Sequence, residues 1–144
     1  MVFTAPDCNE LHCIRLKDGT GAWEAARSDD LFLGGAYDGK VLLVGRSTCR
    51  ALSLADGKEL WKVRTGLPSG RGVAAGNVYY LPLKAPANSG QPAVCAIDID
   101  KGAIVATAPS QMKVDGQYEV PGNLLFFAGN MISQNVAALT AYPQ

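Results

Sequence analysis

The side chains best suited to chemistry in this chain are one histidine, four cysteines and a few acidic pairs. His12 is the single histidine, which excludes a site built from several imidazoles and disfavours a serine–histidine–aspartate triad. We interpret it as a strand-surface residue rather than a base. No pair of cysteines has the Cys-x-x-Cys spacing typical of zinc sites; they are Cys8, Cys13, Cys49 and Cys95. These residue types predict no catalytic residue and no metal ligand.

The cysteines and acidic pairs have simpler structural interpretations. Four small buried thiols are expected, although Cys8 and Cys13 flank a predicted hairpin turn, where a disulfide is an alternative. Asp29-Asp30 is interpreted as a solvated turn. The glycine pairs at 34–35 and 70–72 precede no helix, so neither forms a phosphate-binding loop. The sequence therefore predicts no cofactor-binding residue.

Composition narrows the range of partners. The 144 residues include 13 basic and 13 acidic side chains, and this zero net charge argues against nucleic-acid binding and polybasic membrane attachment. No apolar run approaches the roughly 18 residues that a membrane span needs. The first residues contain no basic segment followed by an apolar one, so no signal peptide is visible.

A repeat supplies the elements that must position any site. Residues 12–24 align without a gap with residues 50–62, at an offset of 38. The matched residues are Leu16 and Leu54, Asp18 and Asp56, Gly19 and Gly57, and Trp23 and Trp61. A looser copy from Cys95 places Gly102 on Gly57 at an offset of 45, and a broken copy covers 136–142.

Each copy of the repeat predicts a strand, a tight turn and a second strand. Leu52 and Leu54 lie two residues apart and share one strand face. Asp56-Gly57 provides a tight turn, because Asp caps its own backbone and Gly accepts a positive φ. A period of about 40 residues with several strands is typical of a β-propeller. A β-sandwich with two similar hairpins is the alternative.

The segment 51–61, Ala-Leu-Ser-Leu-Ala-Asp-Gly-Lys-Glu-Leu-Trp, resembles the quinoprotein-type (PQQ-like) β-propeller repeat, whose consensus is close to Ala-Leu-Asp-x-x-Thr-Gly-x-x-x-Trp. The resemblance spans essentially the whole chain. It implies an all-β fold of four-stranded antiparallel blades in which each tryptophan docks between neighbouring blades. Asp98 matches the consensus Asp and is expected to make a structural hydrogen bond. The implied blade-docking residues are Trp23, Trp61, Gly19, Gly57 and Gly102.

The repeat divides the single domain 1–144 into units at about 1–28, 29–66, 67–109 and 110–144. Their predicted strand counts of three, four, four and three make about two full and two partial blades. In the last unit, strands are predicted at 118–120, 124–127 and 136–142, with a turn at 121–123. Unpaired strand edges invite pairing. We therefore expect a segment of a larger ring, or a homodimer joined through strand edges.

Long connections gather on one face of the predicted blades, opposite the tight turns. Loops over a rigid scaffold often carry binding residues, although tolerated loop variation is the alternative interpretation. The candidate interaction residues on these connections are Arg71, Lys84, Asn88 and Gln91.

The resemblance favours a non-enzymatic scaffold or protein-interaction module of an exported bacterial protein, similar to the outer-membrane protein assembly factor branch. It implies a protein partner and a periplasmic or cell-envelope location. The alternatives are part of a PQQ-dependent dehydrogenase propeller and a sensor propeller attached to a signalling or hydrolytic domain. The dehydrogenases use an adjacent cysteine pair, a stacking tryptophan and calcium ligands. This chain lacks that cysteine pair, and both tryptophans take docking positions, so we predict no bound quinone and no bound metal.

Overall fold

The computed structural model describes residues 1–4, 8–113 and 115–143, which form strands, turns and irregular connections. None of these residues belongs to a helix long and apolar enough to cross a membrane. The strands are β1 (Val2–Thr4), β2 (Glu10–Ile14), β3 (Gly21–Ala26), β4 (Asp30–Tyr37), β5 (Lys40–Gly45), β6 (Thr48–Ser53), β7 (Glu59–Arg64), β8 (Gly66–Pro68), β9 (Val73–Ala75), β10 (Val78–Pro86), β11 (Ala93–Asp98), β12 (Ala103–Pro109), β13 (Asn123–Phe127), β14 (Asn130–Gln134) and β15 (Leu139–Pro143).

The strands form four antiparallel sheets, which we call the first to fourth blades. Their strand orders are β1-β2-β3, β4-β5-β6-β7, β12-β11-β10-β8 with β9 also on β10, and β13-β14-β15. This arrangement confirms the predicted all-β fold of propeller blades. The third blade departs from the expected four strands, because its inner strand is divided into β8 and β9, which pair with different parts of β10.

The outer hairpins of the first three blades share one register. Each contains a β-bulge at the same place, and the partners directly before the bulge are Cys13 with Trp23, Ala51 with Trp61, and Ala96 with Ala106. A bulge adds local twist at a fixed point of the hairpin. The shared register therefore identifies Ala106 as the residue at the tryptophan position of the third blade.

The core lies in the seams between consecutive blades. Strand β5 is apolar at successive residues rather than at alternate ones, because both of its faces are covered: Leu42 and Val44 face the third blade, and Leu43 faces the first. The seam between the second and third blades buries the largest group, which also includes Cys49, Ala51, Tyr79, Leu81, Leu83, Cys95, Ile97 and Ile99.

An indole closes the outer end of two seams. Trp23 Nε1 donates to the backbone carbonyl of Leu54 at 2.9 Å, and Trp61 Nε1 donates to that of Ile99 at 2.8 Å. Each indole covers a turn glycine of the next blade, and a Cβ on Gly57 would lie only 2.7 Å from the Trp23 ring. Both tryptophans are half-buried, so they are more exposed than a residue enclosed in a core.

The fourth blade differs from its predicted strand order. Tyr118 makes only an isolated bridge with Met112 rather than beginning a strand, and β13 is the first strand of the sheet. The segment 130–134 forms the second strand, β14, which the sequence did not predict. The turn before it contains Ala128 at φ 47 and Gly129 at φ 77. Alanine rarely adopts a positive φ, so this turn carried no recognisable signal.

Alanine substitutions at equivalent turn glycines separate indole docking from backbone strain. Gly19 (φ 73) and Gly102 (φ 64) have similar conformations, but only Gly102 lies beneath an indole. We expect Gly19→Ala to lower the free energy of unfolding by about 1–2 kcal/mol, the cost of the left-handed backbone. Gly102→Ala should cost about 3 kcal/mol or more, because the Trp61 hydrogen bond and packing are lost as well. Equal losses in urea titrations would contradict the docking role of Gly102.

Candidate functional site

An uncharged cleft of about 500 Å³ opens between the third and fourth blades. Its walls come from β10, β11 and β12 of the third blade, and β14 of the fourth blade contributes Met131. The side chains that shape it include Val78, Tyr80, Val94, Ala96, Ala106 and Ala108.

The strand register explains why these side chains meet. Tyr80 pairs with Ala96, and Ala96 pairs with Ala106, so the three lie in a row on one face of the third blade. The intervening residues Tyr79 and Cys95 point to the opposite face and pack against the second blade. Both faces of the third blade are thus apolar, and the cleft is the part of one face that the fourth blade leaves open.

Alanine at position 106 accounts for the open seam. At the same register position, Trp23 and Trp61 cover the outer ends of the preceding seams. Ala106 offers a single methyl group there and lines the cleft. The sequence contained this signal, because Ala106 follows Gly102 by the same four residues that separate Trp61 from Gly57.

The strand beside the cleft, β12, has an open edge. Among the described strands it pairs with β11 alone, and all of its residues are exposed. It carries no charged side chain, whereas the outer strand β7 carries Glu59, Lys62 and Arg64, and β3 carries Glu24. Charges on edge strands oppose pairing with other chains. β12 therefore presents unprotected backbone donors and acceptors next to an apolar cleft.

The four residues predicted on interaction loops have different environments. The Arg71 guanidinium lies 5.2 Å from the centre of the Phe32 ring, and its backbone amide donates to Asn123 Oδ1 at 2.9 Å. Gln91 Nε2 donates to the Ser110 carbonyl at 2.6 Å. Arg71 and Gln91 thus tie parts of the fold together. Asn88 is exposed on the connection between β10 and β11. Lys84 is also exposed, but it lies within β10, so its predicted position on a loop was wrong.

Two acidic residues hold the framework together. Asp30, expected in a solvated turn, is only 6% exposed and forms an ion pair with the Arg50 guanidinium. Arg50 Nη2 also donates to the Ala26 carbonyl at 2.7 Å, which links β3 to β4 and β6. The Asp29-Asp30 prediction was therefore wrong for Asp30, because its partner lies 20 residues away in sequence.

Asp98 Oδ1 accepts hydrogen bonds from the backbone amides of Asp100 and Lys101, as expected of a structural carboxylate.

A cross-blade ion pair joins two of the tight turns. Lys40 Nζ lies 2.8 Å from Asp100 Oδ1, and Asn77 Nδ2 donates to Asp100 Oδ2 at 2.9 Å. The hydrogen bond from Lys40 lowers the pKa of the Asp100 carboxyl and raises that of the Lys40 ammonium. These contacts bring the turn between β4 and β5 and the turn between β11 and β12 to the same end of the blades.

The thiols are free, so the disulfide considered for Cys8 and Cys13 does not form. The two residues do not flank a hairpin turn: Cys13 lies inside β2 and is buried, while Cys8 precedes the strand and is half-buried. Burial raises the pKa of the Cys49 thiol to about 12 and that of Cys95 to about 11. These two thiols are accordingly protonated and shielded at neutral pH.

No protein-family model matches this sequence, and no curated protein matches it. Solved structures do resemble the fold. BamB from Moraxella catarrhalis is similar with a TM-score of 0.70 and 15% identity, over 93% of this chain and 43% of that chain. The computationally designed Ika4 protein gives a TM-score of 0.68 and 15% identity, over 99% of this chain and 83% of that one.

A quinohemoprotein alcohol dehydrogenase from Comamonas testosteroni is also similar, with a TM-score of 0.63 and 14% identity, over 86% of this chain and 26% of that chain. This chain therefore spans less than half the length of BamB and about a quarter of the dehydrogenase. The neighbours support the predicted likeness to quinoprotein-type propellers. Since they include BamB, a dehydrogenase and a designed protein, the shared fold by itself assigns no activity.

Filling the cleft tests its accessibility. We expect the dye anilinonaphthalene sulfonate to bind the native protein with enhanced fluorescence, and Ala106→Trp to reduce that enhancement because an indole would occupy the cleft. Ile104→Trp is the matched control, since it adds an indole to the same strand at a residue outside the cleft lining. Equal dye binding by both variants would show that the dye reports another surface.

The different burial of the four thiols predicts the order in which they react. In a mildly alkaline buffer with EDTA, Ellman's reagent should modify Cys8 first. The buried thiols Cys13, Cys49 and Cys95 should react only as the protein unfolds, because burial excludes the reagent and keeps Cys49 and Cys95 protonated. Cys8→Ser should remove the fast phase. A fast phase that survives this substitution would contradict the assignment.

Proposed function

We propose that this chain is a non-catalytic β-propeller scaffold that binds a protein partner. The partner supplies an extended, uncharged segment that adds to the open edge of β12 and places alternate apolar side chains in the cleft. The observation that carries this proposal is the fully exposed, uncharged strand β12 beside an apolar cleft of about 500 Å³. Strand addition of this kind is a recurring mode of peptide recognition.

The two parts of the site have complementary roles. Backbone groups along the edge of β12 give affinity without reading sequence, because every peptide offers the same N–H and C=O groups. The cleft gives selectivity, because side chains two residues apart on the added strand point to the same side. A charged side chain placed there would lose water without gaining a partner from the uncharged cleft walls. An apolar, strand-forming segment fits both conditions.

The arrangement of the tryptophans favours a scaffold over a quinone-dependent dehydrogenase. Both indoles of the chain already donate to carbonyls of the neighbouring blade, those of Leu54 and Ile99. Each ring also lies against a turn glycine of the next blade, Gly57 or Gly102, so both indoles are engaged in closing a seam. The resemblance of the repeat to the assembly-factor branch supports an exported bacterial protein that acts in the cell envelope.

A labelled synthetic peptide tests the proposed binding mode. The probe is a fluorescein-labelled decapeptide of alternating valine and threonine, compared with a version carrying proline at two central positions. We expect saturable anisotropy changes with the alternating peptide only, because proline removes backbone donors and disrupts strand pairing. Val105→Lys should weaken binding at least about tenfold, because it places a charge on the edge and at the cleft.

The control is Val136→Lys, the same substitution at an exposed residue outside the cleft lining. Binding that Val105→Lys leaves unchanged, or that both peptides share, would overturn the proposal. Light scattering on the wild-type chain measures whether the chain associates with itself. Self-association that Val105→Lys abolishes would identify a second copy of this chain, rather than a different partner, as the occupant.

A further inference from the structure

Three potential metal ligands cluster on the first blade, away from the cleft. Cys8 Sγ lies 3.6 Å from His12 Nε2 and 3.9 Å from Glu10 Oε2. One ligand atom from each of the three residues lies within 4.8 Å of the others. A thiolate, an imidazole and a carboxylate are the ligand types that bind Zn²⁺ in proteins.

Strand geometry brings these groups together. Glu10 and His12 are alternate residues of β2, so they project to one side of the strand. Cys8 precedes the strand, and its sulfur lies close to both of these side chains. Leu11 and Cys13, the residues on either side of His12 in sequence, are buried, and Leu11 packs with Leu43 of the second blade. The cluster therefore lies on the face of the first blade turned away from the second blade.

Two neighbouring strands fix the orientation of the imidazole. Glu24 on β3 is the cross-strand partner of His12, and its Oε1 lies 3.2 Å from His12 Nδ1. On the other side, the Phe3 ring of β1 stacks on the imidazole, with ring centres 5.6 Å apart. With Nδ1 bound to Glu24, Nε2 is the nitrogen that faces Cys8. A carboxylate on the distal nitrogen is the usual support of a metal-bound histidine.

We propose that Cys8, Glu10 and His12 bind one Zn²⁺ ion, with Glu24 as a positioning residue. Bond lengths of about 2.3 Å to sulfur and about 2.0 Å to nitrogen in a tetrahedral site separate these two atoms by about 3.5 Å. The observed separation of 3.6 Å between Cys8 Sγ and His12 Nε2 fits this requirement without rearrangement. Three protein ligands leave the fourth position to water or another group.

The same residues could instead form an activated cysteine, since Cys8, His12 and Glu24 follow the order nucleophile, base and orienting carboxylate. Glu10 decides between the two possibilities. Its Oε2 lies 3.9 Å from the Cys8 sulfur, where it has no part in an activated cysteine but supplies a third ligand to a cation. Zinc binding gives every group in the cluster a favourable role.

This site departs from the sequence-based prediction of no metal ligand. That prediction relied on Cys-x-x-Cys spacing and on several histidines, which are patterns of turns and helices. On a strand, the relevant spacing is every second residue, as for Glu10 and His12, and Cys8 lies two residues before Glu10. The site is independent of the proposed partner binding, because β12 belongs to the third blade.

Metal titration of the reduced, EDTA-treated full chain tests the proposal. Co²⁺ should bind one equivalent and produce a thiolate-to-cobalt charge-transfer band in the near ultraviolet, and Zn²⁺ should displace it. Cys8→Ser should abolish the band. His12→Gln should weaken Zn²⁺ binding at least about tenfold, and Glu24→Gln should keep the band while weakening affinity by about 10–100-fold. Cys13→Ala, a change at the other thiol of this strand, is the control and should retain the band.

Alkylation of the wild-type chain gives a readout that does not depend on any variant folding. Mass spectrometry after iodoacetamide treatment should show that one equivalent of Zn²⁺ protects Cys8. Absence of stoichiometric binding, or a band that persists in Cys8→Ser, would overturn the proposal. Alkylation of Cys8 that Zn²⁺ leaves unchanged and His12→Gln slows would overturn it in favour of an activated cysteine.

Discussion

The hydrogen bond from an indole to a carbonyl of the next blade is the contact on which this architecture depends. Leu54 and Ile99 offer these carbonyls beside turns in which Gly57 and Gly102 let the ring approach the backbone. One side chain thus seals the apolar seam and satisfies a backbone acceptor. The buried pair of Arg50 and Asp30 adds a polar tie between the first and second blades. Each blade is held by its neighbours, as in other repeat proteins.

The candidate binding site arises where this contact is missing. Ala106 occupies the tryptophan position of the third blade, and the space beside it is the apolar cleft. The same strand has no charged residue to discourage pairing. A local change of residue type, within an unchanged register, therefore converts a structural seam into an accessible surface. The rigid core on the opposite face of the blade, around Tyr79 and Ile97, keeps that surface in place.

Local sequence patterns predicted the blades well, because the alternation of Leu52 and Leu54 and the Asp-Gly turns act over a few residues. The features that these patterns did not predict depend on contacts between strands or on an unusual backbone conformation. Asp30 was placed in solvent because its partner Arg50 lies on another strand, and β14 was missed because Ala128 adopts a conformation typical of glycine. The cluster around Cys8 likewise becomes apparent only when Glu24 is placed opposite His12.

The docking contact has a direction, and this limits the symmetry of any assembly built from it. The tryptophan side of one blade fits only the glycine-turn side of the next, as Trp23 fits Gly57 and Trp61 fits Gly102. Two identical surfaces of this kind cannot pair face to face around a two-fold axis. Blades joined through such a contact grow head to tail, and a closing rotation turns that growth into a ring instead of a filament.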